Sequence, residues 1–189
     1  MSTSSPVPAP PSTGSRSQPA SWLGWLGAAW GVFGVCLLLA SAVWRLSPIA
    51  WEALSGPLSA GQVIFGAVWV LFMAYSEGYK GFQRAFSPRV VVRADWLARN
   101  PRPWLVALAP AFCMGLVHAT RKRRTVSWVL LVVIVGLVVA VKQLPSPWRG
   151  LIDAGVVVGL SWGIAATLAV LFRAWRGALP DIPPDVPPS

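Results

Sequence analysis

His118 is the chain's one histidine, and Cys113 lies five residues before it. On an α-helix that spacing puts the two side chains about 140° apart, so they share no face. Zinc takes three or four protein ligands. The only other cysteine, Cys36, sits inside a separate apolar run, where cysteine behaves as a small buried hydrophobe. A serine–histidine–acid relay would have to join His118 to Asp153, the acid nearest an apolar segment, and these two are expected near opposite membrane surfaces. No phosphate-cradling glycine loop, HExxH pair or closely spaced carboxylates occur. These residues predict no catalytic site, no metal site and no cofactor.

Glu77 and Asp153 lie near the ends of apolar segments. Acids inside a membrane mark ion or proton paths by default, which makes Asp153 a candidate transport residue. The plainer reading is local pairing: Arg149 lies four residues before Asp153 and Lys80 three after Glu77, both within reach on a helix.

The elements carrying these side chains are set by an apolar composition. Hydrophobic residues make up 55% of the 189, charged residues only 12%, and mean hydropathy is +0.60. Soluble domains are about 25% charged, so the polar surface to cover a water-exposed globule is missing. Apolar runs at about 22–44, 59–76, 126–142 and 148–172 approach or exceed the ~20 residues that cross a ~30 Å hydrocarbon core. The expected fold is an all-α integral membrane protein with one helical membrane domain, 21–176. Residues 1–20 form a Ser/Pro-rich tail with nothing to bury, expected to be disordered. The first run is about twice the length of a signal-peptide core, which favours an uncleaved anchor. Residues 177–189 form a proline-rich tail, expected to be extended or disordered.

Within the runs, Gly27 and Gly31, and again Gly155, Gly159 and Gly163, recur at four-residue spacing. Small residues so spaced let a second helix backbone approach closely, so these five are candidate helix-packing positions. Ser59-x-x-Gln62 matches a capping box. Ser47-Pro48 and Ser146-Pro147 each suggest an N-cap with a first-turn proline, the former opening a short helix through Glu52. The second run has no breaker before Ser87-Pro88. At 100° per residue Tyr75, Tyr79, Phe82 and Phe86 share one stripe, with Glu77, Lys80 and Arg84 on the opposite side and small residues on a third. Residues 89–99 mix basic and apolar side chains and suit the membrane surface. Asn100-Pro101-Arg102-Pro103 breaks regular structure.

Trp104–His118 is apolar but only fifteen residues long and contains Pro110. If it crosses, there are five spans, and with a cytoplasmic N-terminus the Lys and Arg divide nine inside to seven outside. If it enters and returns, there are four spans and the division is thirteen to three. The second is how basic residues orient helical membrane proteins. Four crossings plus a short non-crossing segment are therefore expected, with five as the alternative and both termini cytoplasmic. The pattern suits a bacterial inner membrane.

Net charge is +10. On a soluble domain this would suggest nucleic acid, but here the excess serves loop orientation and argues against that partner. Ten of the sixteen Lys and Arg fall between Glu77 and Arg124, closing on Arg121-Lys122-Arg123-Arg124. Near a surface each is worth on the order of 1 kcal/mol toward anionic lipid headgroups. The expected partners are the bilayer, anionic headgroups, and a protein partner or second copy. The expected role is non-enzymatic: a structural or accessory subunit packing through its glycine faces. The alternative is a small oligomeric transporter or channel.

Overall fold

The computed structural model describes residues 21–187, and every regular element among them is helical. α1 runs Trp22–Ser55, opened by the Ser21 hydroxyl, which accepts from the Gly24 N–H at 3.1 Å. The expected break at Ser47-Pro48 does not occur. Ser47 donates back to Val43 O at 2.7 Å instead of capping a new helix. Pro48 removes one helical bond, but Ala50 and Ala53 beyond it are buried against a neighbour, and that packing carries the helix through.

α2, Ala60–Met73, starts with both bonds of the predicted capping box: Gln62 N–H to Ser59 Oγ at 3.3 Å and Ser59 N–H to Gln62 Oε1 at 2.9 Å. It passes directly into a π-helix, π1, Ala74–Phe86, and then into α3, Ser87–Arg99. The predicted stop at Ser87-Pro88 is thus overturned. Pro88 has no N–H to give, and the wider i→i+5 register, in which the Ser87 N–H reaches Phe82 O, brings the chain up to this missing donor without a break.

α4, Pro103–Ala107, and α5, Ala109–Cys113, follow the predicted break, each opened by proline. Each has five residues, about 7 Å of helix, so neither is long enough to cross a membrane. α6 is Arg121–Val141. α7 is Trp148–Trp175, and its N-cap is Pro147 without a side-chain bond, not Ser146 as its sequence suggests. Among the described residues, four helices are long and apolar enough to cross a membrane: α1, the continuous rod Ala60–Arg99, α6 and α7.

Three of these pack as a bundle with glycines at the contacts. α7 runs alongside the rod in the same direction: Leu151 meets Gly66, the Trp69 indole donates to Ile152 O at 3.1 Å, Glu77 lies at Gly159, Phe82 at Gly163, and Ser87 bonds Thr167 at 2.9 Å. α1 runs opposite to both, with Gly150 against Ala53 and Ile49, and Gly24 against Ala98. α4 and α5 wedge between α1 and α3, with Gly27 facing Val106 and Leu97, and Gly31 facing Cys113 and Ala109. There the main core forms from Val32, Val35, Val90, Leu97, Leu105 and Phe112.

α3 is therefore not a surface piece. Val90, Val91, Val92, Arg93 and Ala94 are all buried, because α1, α7 and the wedge together enclose the helix expected to meet lipid headgroups. α6 stands apart. Only 6% of its apolar window is buried, against 28% for α1 and α7.

Candidate functional site

The most heavily built polar feature is Arg93, which is 2% exposed. A guanidinium carries five N–H donors in a rigid fork and accepts nothing. Here Nε donates to Phe112 O at 2.6 Å, Nη1 to Pro184 O at 2.6 Å and Asp185 O at 3.4 Å, and Nη2 to Val117 O and His118 O, each at 3.1 Å. Five donors meet five backbone carbonyls. The cation also lies 4.2 Å from the Phe112 ring centroid, a distance at which the ring's quadrupole attracts it. Burying a charge is costly unless it is fully bonded, and this geometry meets that condition with carbonyls from two separate segments. One is the end of α5 with the irregular run after it. The other is the C-terminal tail.

The tail is expected from its sequence to be extended or disordered. Residues 177–187 have no regular structure, yet Asp185 O also accepts from the Thr120 N–H at 2.9 Å, and Val186 packs against the main core. Asp185 reaches this position with φ of 52° and His118 with φ of 45°, in the left-handed region where Asp and His occur more often than most residues.

His118 sits among aromatic rings: Trp96 at 5.9 Å, Trp104 at 5.7 Å and Phe112 at 6.3 Å between centroids. Burial lowers its pKa below the ordinary imidazole value, and the Arg102 and Arg93 charges push the same way. Cys113 lies nearby in the core, and burial pushes its thiol up to about 12, with the Arg93 charge opposing only in part. No group of three His, Cys, Asp or Glu side chains that could hold a metal forms among the described residues.

Asp153 lies at the other end of the bundle, so His118 and Asp153 are not brought together. It is 5% exposed and pairs with Arg149 at 3.7 Å, as the spacing predicts. Neither Asp153 Oδ2 nor Arg149 Nε has a hydrogen-bond partner. Glu77 does not take up the predicted pair with Lys80. Its carboxylate lies 3.1 Å from where a Cβ on Gly159 would stand, facing α7.

The π-helix explains this, and it overturns the three-faced arrangement. A longer turn brings residues i and i+5 to one side. Lys80 therefore lies over the Tyr75 ring at 4.9 Å, and Arg84 over Tyr79 at 5.6 Å, although α-helical spacing set these charges opposite the rings. Phe82 turns inward against Gly163, and Phe86 meets Phe82 edge-on at 5.4 Å.

The other glycine positions are also filled from within the chain: Gly155 faces Trp69 and Met73, and Gly159 faces Glu77 and Met73. Arg121, Lys122 and Arg124 are exposed in the first turn of α6. Arg123 folds back toward Gly115, whose φ of 77° no ordinary side chain favours, and its Nε is buried without a partner. Two further bonds anchor α6 here, Ser127 Oγ to Met114 O at 3.2 Å and Trp128 Nε1 to Leu116 O at 3.2 Å.

Arg93 is the residue that sequence reasoning missed. Its signal was a single Arg directly after three valines. No known protein family, no curated protein and no solved structure matches this chain.

Proposed function

We propose that this chain is a multi-pass protein of the cell membrane, of the bacterial inner-membrane type. It crosses four times with both termini cytoplasmic, and it works without catalysis as an accessory or structural subunit of a membrane assembly. The parallel course of the rod and α7 supports the threading. With α6 crossing between them, two parallel helices require the 103–120 segment to return to the side it left. A fifth crossing there would set α7 antiparallel to the rod. The rod's apolar part gives way near Glu77, so π1, α3 and the Arg93 cluster lie toward the cytoplasmic end of the bundle beside the basic first turn of α6, where anionic headgroups are the natural counter-charge.

The observation that carries the subunit reading is α6. The glycine faces expected to receive a partner are taken by the chain's own side chains. α6 touches the rest only near its basic start and leaves Val129, Val132, Val135 and Val139 exposed. A photo-crosslinking residue at Val132 or Val135 in native membranes is expected to give a discrete protein adduct, either a second copy or another subunit. Capture of lipid alone at both positions would overturn the reading.

The buried Asp153–Arg149 pair, with one unbonded atom on each side, supports a second reading as a small oligomeric transporter. Ion or proton flux in proteoliposomes that falls in Asp153→Asn would favour it, and flux that does not change would remove it.

A further inference from the structure

We propose that Pro184-Asp185-Val186 is a docking motif, and that the notch between α3 and residues 112–120 is a site for an extended, proline-rich segment that this chain fills with its own tail. The recognition is of backbone. Proline offers a carbonyl and no N–H and presets an extended chain, which suits a donor-only fork such as Arg93. Asp185 O is held from two sides, by Arg93 at 3.4 Å and by the Thr120 N–H at 2.9 Å. The left-handed turn at Asp185 is followed by Val186, half-buried against the outside of the main core, supplying an apolar anchor beside the polar one.

Upstream of the notch the tail's described backbone bonds are local: Ala178 N–H to Arg173 O at 2.9 Å and Ile182 N–H to Pro180 O at 3.0 Å. Fastened to the body of the protein at its far end, the tail is a strap that can leave as a unit. Its departure would strip Arg93 of two acceptors and open the wall around Phe112 and Cys113.

The full-length protein supplies its own reporter, because Cys113, next to Phe112 in the wall of the notch and with its sulfur toward Gly31 of α1, is only 2% exposed. In Val186→Asp, alkylation of Cys113 by N-ethylmaleimide, read at that residue by mass spectrometry, is expected to accelerate by about tenfold or more as the local structure opens. A synthetic peptide of residues 180–189 added in excess is expected to restore the slow rate. Circular dichroism reports helix content separately, and the milder Val186→Ala is expected to give a smaller acceleration. Unchanged Cys113 labelling in both variants would overturn the strap. Acceleration that the peptide cannot reverse would overturn the docking motif.

Discussion

Replacing Arg93 by methionine keeps most of the side chain's length and removes its five donors. Hydrogen bonds from a charged group contribute roughly 1.5–3 kcal/mol each, so five give a gross of about 10 kcal/mol. The desolvation cost of a buried cation is several kcal/mol and offsets roughly half of that. Phe112 O, left in the core, keeps an unmet acceptor worth about 1–3 kcal/mol. The net loss is about 7 kcal/mol, concentrated where the carbonyls come from. At about 1.4 kcal/mol per factor of ten, amide exchange in residues 112–120 and 180–187 is expected to quicken by up to about five orders of magnitude, read by mass spectrometry in detergent or nanodiscs. α6 and the α2–α7 contact are expected to keep their protection. Lysine, with three donors on a point charge, is expected to recover about half the loss in free energy. Acceleration of less than about tenfold in Arg93→Met would refute the claim that this fork holds the two segments together.

Other consequences follow from the packing and charge. A leucine at Gly163 must displace the Phe82 ring, whose atoms lie 2.7 Å from where a Cβ would stand, and is expected to destabilise by about 1–3 kcal/mol. Alanine at Gly136, where nothing lies within 4 Å, is expected to be neutral or stabilising by up to about 1 kcal/mol; equal effects in thermal unfolding would refute the packing register. His118, its pKa lowered by burial and by the Arg102 and Arg93 charges, binds its proton later in the folded than in the unfolded chain as pH falls. Stability of the 112–120 segment is therefore full above about 6.5, the unfolded value, and declines as pH drops through it. His118→Gln is expected to flatten that decline in exchange rates.

Much of the fold was legible because helices long and apolar enough to cross a membrane announce themselves by length and composition, and the Ser59–Gln62 capping box needs only local spacing. The Arg149–Asp153 pair was legible for the same reason. The errors arise where a distant segment decides the outcome. Val90 to Ala94 reads as surface until α1, α7 and α5 enclose it. Arg93 reads as one more orienting charge until carbonyls nineteen to ninety-two residues away converge on it. The aromatic and charged faces of 74–86 were laid out at 100° per residue, and the π-register moved Lys80 and Arg84 onto the tyrosines. Nothing in the residue types alone distinguishes that register from the α-helix, although Pro88 at its end is a local cause. The tail's proline content suits an extended chain, and its attachment rests on Val186 and on carbonyls that every residue has.

The threading is tested most directly by one fusion, a topology reporter joined after Ser189 in the intact chain. Four crossings, with the segment around Pro110 returning to its own side, predict a cytoplasmic signal from that reporter. A reporter active only on the external side would contradict the account. It would make the 103–120 segment a true crossing and place the Arg93 cluster and the basic turn of α6 on opposite faces of the membrane.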